Sequence, residues 1–271
     1  MAKDMTSGKP LKLIWNFTIP LLIGNLFQQL YNMADTFIVG RTIGVQALAA
    51  VGSTGSIVFL IIGFATGLTA GLAIPLAQRF GAKDYKGVKH SFYVSILISI
   101  AVAIVLTALS MIFCRQILEI MQTPSEIIDG AYDYLIVIFG GIFSSMAYNL
   151  LSNIFRSIGD AKTPLYFLVM ACVMNIILDI VFIAVFGMGV EGAGYATVLS
   201  QIFSAVACVV YIWKKIPVLR LTKEDLVATK RNIREHCRIS FPMAFQASII
   251  AIGTIMVQIA LNQLGPTSVA A

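Results

Sequence analysis

The sequence predicts an all-α membrane protein, a six-helix transmembrane bundle followed by a seventh span. Three observations carry that expectation: an apolar composition, apolar runs of bilayer length, and basic residues confined to alternate connections. Hydrophobic residues make up 58% of the 271-residue chain and charged residues 12%, about half the charge of an ordinary soluble domain. A helix needs roughly 20 apolar residues to cross a bilayer. Seven runs reach that length, at about 14–39, 53–78, 91–113, 132–155, 164–187, 190–213 and 239–264. Within each run, apolar residues lie on most sides rather than alternating, which fits helices and not a barrel. Helices also satisfy their own backbone groups where water is absent.

Lys3, Lys9 and Lys12 precede the first run in the manner of a signal peptide. The apolar stretch is too long for one, and no convincing small-residue cleavage pattern follows, so it reads as a retained span. With the amino terminus assigned to the cytoplasm, the inside segments hold Lys3, Lys9, Lys12, Arg79, Lys83, Lys86, Lys89, Arg156, Lys162, Lys214, Lys215, Arg220, Lys223, Lys230, Arg231, Arg234 and Arg238. That is 17 of the 19 basic residues; Arg41 and Arg115 fall outside. This positive-inside bias predicts a multi-pass protein of the cytoplasmic (inner) membrane with its N-terminus in the cytoplasm. The net charge of +6 is then topogenic. The lipid bilayer is the expected surrounding and nucleic acid is not an expected partner.

The chain divides into a six-helix lobe (1–213), a cytoplasmic linker (214–238) and the first helix of a truncated second lobe (239–271). In the linker, Thr222-Lys-Glu-Asp has the form of a helix start with acidic residues in the first turn, compatible with a surface amphipathic helix or a plain connection. The seventh span runs in the same direction as the first and shares its pattern. Pro20 and Pro242 lie near the two starts. Gly44 and Gly265 follow, and then the tails Leu48-Ala49-Ala50 and Val269-Ala270-Ala271. Six intervening spans make this a parallel repeat of six helices, as in many transporters. The chain is therefore expected to stop one helix into its second repeat.

Polar side chains inside spans are costly, about 3 kcal/mol for an ionised group at mid-bilayer, so they face the bundle interior or a cavity. Only two acids lie deep: Asp35 and Asp179. Asn25, Gln28, Gln29, Asn32, Asp35 and Thr36 recur at three- and four-residue steps and are expected to share one helical face. Asn175 and Asp179 are four apart. Thr197, Ser200, Gln201 and Ser204 mark the sixth span, and Ser145, Asn149, Ser152 and Asn153 the fourth. For the amides and hydroxyls, interhelical hydrogen bonding is a sufficient account. The aspartates have no basic partner at their depth, so each must be protonated, bind a cation or meet water. Gly63, Gly67 and Gly71 form a ladder suited to close helix packing, and Pro20 and Pro75 should bend their helices.

No phosphate-binding loop occurs; Gly159-Asp-Ala-Lys-Thr lacks the glycine before its lysine. Cys114, Cys172, Cys208 and Cys237 have no paired spacing, and His90 and His236 lie in basic loops. No enzyme, cofactor or structural metal site is expected.

The run Phe155-Arg-Ser-Ile-Gly-Asp-Ala-Lys-Thr-Pro164, then Asn175-Ile-Ile-Leu-Asp179, then Gly187-Met-Gly-Val-Glu-Gly-Ala-Gly-Tyr-Ala-Thr197 resembles the multidrug and toxic compound extrusion (MATE) family. So does the first span, from Pro20 through Asn32-Met-Ala-Asp35 to Ile43-Gly44 and Ala47-Leu-Ala-Ala50. The resemblance covers the whole chain. It implies a two-lobe, twelve-helix fold of which this chain supplies the first lobe and one further helix. It also implies export of small organic, often cationic compounds in exchange for Na⁺ or H⁺. In one branch of the family the cation site maps onto Asp35, Asn175, Asp179 and Thr197, and a bend proline onto Pro20. Another branch uses an acid on the seventh span, where this chain carries only Gln246, Gln258 and Asn262. Candidate cavity-lining residues are Asn25, Gln28, Gln29, Asn32, Thr36, Asn149, Asn153 and Gln201. Two other readings stay open. A flippase for lipid-linked oligosaccharides or other amphiphiles would share the fold, although no basic side chain lies deep enough to meet pyrophosphate. A helical channel or receptor fits the repeat less well. A carboxylate among neutral oxygens suits Na⁺ and H⁺ alike.

Overall fold

The computed structural model describes residues 8–262. Lys3, Gly265 and the Val269–Ala271 tail of the expected repeat lie outside the described residues. The apolar runs become helical spans: α1 (Pro10–Thr42), α2 (Val45–Gly81), α3 (Tyr85–Ile120), the pair α4 (Ile128–Gly140) and α5 (Ile142–Ser157), α6 (Lys162–Asp179), α7 (Val190–Lys215) and α8 (Lys230–Asn262). At 37 and 36 residues, α2 and α3 are each about 55 Å long. Both exceed a hydrocarbon core of about 30 Å, so they tilt or project into the headgroups and water. The fourth span is bent by 49° between α4 and α5. The fifth continues past α6 as a π-helical stretch, Ile180–Val185. Pro20 and Pro75 sit buried within unbroken helices.

Apolar faces decide the packing. Leu68, Leu72 and Leu76 on α2 are fully buried, as are Leu135 and Phe139 on α4 and Ile142 and Phe155 on α5. α2 is the central rod, touching α1, α3, α4, α5 and α8; α7 closes against α4, α5 and α6, and α1 rests chiefly on α6. The helix outsides are apolar too, with Leu22, Ile104, Val209 and Trp213 all more than half exposed. That is the surface of a protein whose solvent is lipid.

The basic connections gather at one end of the bundle. Arg79 at the end of α2 donates to Gly87 O and Ser91 Oγ near the start of α3, and pairs with Glu235 on α8 at 2.9 Å. Leu13 and Phe17 of α1, the 159–163 loop and Tyr211 of α7 line one surface cavity at that end. In that loop Gly159 takes φ +80°, and the Asp160 carboxylate accepts from Lys162 N, Thr163 N and Thr163 Oγ1. The Gly-Asp-Ala-Lys-Thr run therefore builds a turn and the start of α6. Arg115, at the far end of the bundle, pairs with Asp129.

The linker differs from the expected 214–238. Helix α7 runs to Lys215 and α8 starts at Lys230, so residues 230–238 are helical although strongly basic. Apolar patterning marks only the part of a helix that lies in hydrocarbon. Here Thr229 accepts from Asn232 N and Ile233 N and starts the helix in water. Instead of an amphipathic helix, the shorter connection holds two 3₁₀ turns, Pro217–Leu219 and Lys223–Asp225. Thr222 and Asp225 form a capping box across the second turn. Asp225 also pairs with Lys89 of α3 at 3.1 Å.

The glycine ladder packs where α8 crosses α2. A Cβ on Gly67 would stand 2.6 Å from Met243 O, and one on Gly71 would collide with Ser240. At Gly63 a Cβ would meet nothing within 4 Å. At the far end, Asn262 Nδ2 donates to Met121 O, and Gln258 Nε2 to Asn262 Oδ1. Thus α8 is held to the lobe along its length.

Two outcomes follow from these contacts. Gly71→Ala should destabilise the protein by about 1–3 kcal/mol, the usual cost of overpacking. Gly63→Ala should be neutral or stabilising; thermal unfolding in detergent compares the two. Asp225→Asn should free the linker, seen as several-fold faster tryptic cleavage after Lys223. The Thr222 hydroxyl and amide, with Lys89, hold the Asp225 carboxyl down from 3.8 to about 2. A depressed carboxylate contributes its stability above the unfolded value and loses it as pH falls through the folded one. The clasp should therefore be intact above about pH 4 and released only toward pH 2.

Candidate functional site

Three spans bring the deep polar residues together. On α1 the buried face is Pro20, Gly24, Tyr31, Asp35 and Val39, a helical stripe that points Asp35 into the lobe. The Asp35 residue is 7% exposed, and Asn175 and Asp179 on α6 are fully buried. The four-residue spacing of Asn175 and Asp179 puts both on the face of α6 that meets α1 and α7. From α7, Thr197 Oγ1 accepts from Tyr31 Oη at 3.1 Å and from Asn175 Nδ2 at 3.5 Å. Ser200 Oγ donates to Thr197 O at 2.8 Å, fixing the next turn. Asp179 is the last residue of regular α-helix; the wider π turn starts at Ile180. Such turns re-aim side chains and recur at functional sites.

What distinguishes the cluster is its surplus of acceptors. Asp35 Oδ1, both carboxylate oxygens of Asp179 and Asn175 Oδ1 are buried without a hydrogen-bond donor. The two aspartates lie within electrostatic reach of each other. Neither forms an ion pair among the described residues. Four buried acceptors with no donor violate the ordinary rule for protein interiors, and two like charges so placed cannot both persist uncompensated. A hard cation bound by oxygen ligands, or protons on the carboxyls, removes the conflict. Among the described residues no cluster of three or more His, Cys, Asp or Glu side chains forms a metal site. The donor set is two carboxylates with neutral oxygens, which fits a monovalent cation or protons.

The expected polar stripe on α1 divides in two. Gln28 is half-buried beside the Asp35 face, whereas Asn25, Gln29, Asn32 and Thr36 are exposed. Steps of three and four drift round a helix, so a six-residue stripe spreads too widely to share one direction with Asp35. Gln29, Asn32 and Thr36, with Arg41, instead line an open groove of about 650 Å³ on the outside of the lobe. Asn149 donates to Ser145 O within α5, and Asn153 to Thr69 on α2. Their hydrogen bonds run away from the aspartates. Gln201 lies one turn beyond Thr197 with its side-chain oxygen buried and unpartnered.

Two members were missed by sequence reasoning. Tyr31 lies four residues before Asp35, a spacing that carried the signal. Tyr134, buried on α4 and within electrostatic reach of Asp35 and Asp179, gives no sequence sign of its role, because its neighbours belong to other spans.

The MatE family model matches residues 20–181, a segment that includes Asp35, Asn175 and Asp179. The probable multidrug resistance protein YpnP of Bacillus subtilis is 30% identical over 270 residues, covering 97% of this chain and 59% of its own length. The multidrug export protein MepA of Staphylococcus aureus is 25% identical over 239 residues, covering 88% of this chain and 53% of its own length. A solved inward-facing multidrug resistance MATE transporter of the MOP superfamily superposes with a TM-score of 0.83 at 27% identity, over 93% of this chain and 59% of that one. A MOP superfamily transporter from Pyrococcus furiosus gives 0.85 at 29% identity, over 91% and 55%. The chain thus spans about three fifths of the first two curated relatives' length. With the helical bundle, the family-model match and these relatives in agreement, the chain belongs to the MATE family of membrane transporters.

Proposed function

We propose that this lobe houses the ion-coupling site of a multidrug exporter, which expels small organic, often cationic compounds in exchange for Na⁺ or H⁺ by alternating access. The observation that carries the reading is the set of orphaned oxygens on Asp35, Asn175 and Asp179. In this scheme Asp35 and Asp179 bind the coupling ion, Asn175 and Thr197 complete its oxygen shell, and Tyr31 orients Thr197. A ligand shifts an equilibrium only as far as it binds the two states unequally. Here, filling the site removes repulsion between the acids and draws α1 toward α6 and α7. Pro20, which removes a backbone hydrogen bond on the same helix, is the hinge.

The working transporter pairs this lobe with a complementary second lobe, of which α8 is the first helix. The groove of Gln29, Asn32 and Thr36 then faces the chamber where the organic substrate binds. The names of the relatives, multidrug resistance and multidrug export proteins, support that substrate class. The basic end of the bundle is the cytoplasmic one, in the inner membrane.

Two measurements test this in the full-length protein reconstituted in vesicles, with Na⁺ and pH gradients imposed separately. Asp35→Asn and Asp179→Asn should each reduce gradient-driven export by roughly tenfold or more, within the usual range of coupling free energies. Undiminished export with unchanged ion dependence would refute the assignment. Tyr31→Phe should raise the half-saturating concentration of the coupling ion about fivefold, equivalent to one hydrogen bond of about 1 kcal/mol, and leave substrate binding unchanged.

A further inference from the structure

A second cavity, unrelated to the aspartates, opens on the lipid-facing side of the lobe. It is a groove of about 350 Å³ between α3, α5 and α7, closed at one end by the linker. Among the described residues, the polar groups along it are Ser99, the Trp213 indole N–H and Arg220. On α3 its wall runs from Phe92 to Ala103, about 16 Å of helix axis. That matches one leaflet of hydrocarbon, half of about 30 Å. Phe143 and Val209 on its sides are more than half exposed, so it is open laterally.

The closed end is basic. Arg220 Nη2 donates to Lys214 O at 3.2 Å, which pins the guanidinium to the last turn of α7. That contact leaves most of its donors unused, and no carboxylate pairs with it among the described residues. Lys214, Lys215 and Lys223 stand exposed nearby in sequence, and Trp213 lines the groove next to them, as tryptophan does at membrane interfaces. The 3₁₀ turn Pro217–Leu219 packs on α3 and α7, with Leu219 buried, so the wall that carries Arg220 is anchored. Helix α8, which leads toward the second lobe, touches α2 and α3 but neither α5 nor α7. The groove is therefore away from the face where the repeats meet.

We infer that this groove binds an anionic phospholipid of the surrounding membrane, with one acyl chain along α3 and α5 and its phosphate on Arg220. An apolar slot of leaflet depth in a lipid solvent takes a chain. A cationic rim whose Arg220 is paired with no carboxylate among the described residues selects a negative headgroup and repels the cationic compounds proposed as transport substrates. The inference rests on the membrane-spanning fold and the basic rim, and stands whether or not the aspartates couple an ion.

The test is native mass spectrometry of the full-length protein in detergent, titrated with phosphatidylglycerol and with phosphatidylcholine of the same chains. Wild type should retain one phosphatidylglycerol more tightly than phosphatidylcholine. Arg220→Gln should lower that retention about fivefold, the usual effect of one basic group at a membrane surface, and lower the retention of phosphatidylcholine, whose choline offsets its phosphate charge, by less. Ala147→Phe, which fills the groove and spares the rim, should weaken both lipids. Equal retention of the two lipids by wild type overturns the proposal. So does a preference that survives Arg220→Gln, or displacement by oleate at the same concentration as phosphatidylglycerol, which would mark a fatty-acid site. Ion-driven export is measured after reconstituting the same preparations into vesicles; its loss in Asp35→Asn together with intact lipid selectivity in detergent separates this inference from the transport reading.

Discussion

The constraint on which the structure turns is the burial of two carboxyl groups without donors. An ionised group in hydrocarbon is costly, and a like-charged neighbour makes it more so. Ordinary packing would place an arginine or several amide donors beside such a pair. The lobe instead surrounds Asp35 and Asp179 with a hydroxyl already engaged by Tyr31, an amide oxygen and apolar helix faces. A site so arranged is strained when both acids are charged, and binding a cation or protons, as proposed, would relax it. That difference is the free energy a coupled transporter can turn into a change of shape.

The rest of the lobe makes the arrangement persist. Around α2 the bundle is tightly packed, with fully buried leucines on its core faces and close glycine contacts to α8. Paired charges and a capping box fasten the basic end, and Arg115 with Asp129 closes the other. Against this stiff frame two spans depart from continuous α-geometry, the fourth at its bend between α4 and α5 and the fifth at the π turn after Asp179. That turn begins at the residue whose two oxygens are left without donors.

Much of this was legible in the sequence because hydrocarbon imposes a simple rule. Seven apolar runs gave seven spans, the expense of polarity inside them singled out Asp35 and Asp179, and the family resemblance added Asn175 and Thr197; the fold brings the four to one place. Composition says less about direction. The stripe from Asn25 to Thr36 was expected to face as Asp35 does, yet only Gln28 stays near it; Asn32 and Thr36 turn outward, because a spread of a third of a turn separates inside from outside on a thin bundle. Asn149 and Asn153 proved to bond within α5 and to α2, a choice set by neighbours that no single span reveals. The same limit hid Tyr134 and the π turn. The start of α8 was misjudged for another reason: apolar patterning reports the membrane, whereas Thr229 and the basic turn after it form helix in water.

The distribution of packing also indicates where the proposed coupling would act. Helix α1 carries Asp35 and Pro20 yet is the least buried of the spans, and it is held mainly by α6, the helix that carries Asn175 and Asp179. Its contact with the central α2 is slight by comparison. A change of charge between Asp35 and Asp179 therefore acts across the same interface that keeps α1 in place. The outward face of α1, with Gln29, Asn32 and Thr36, lines the open groove. On the proposed mechanism, any movement that closes the pocket around the aspartates must reshape that groove, since a single helix forms a wall of both. One lightly held rod between two sites suffices to link them, and α1 is the span whose packing meets that requirement.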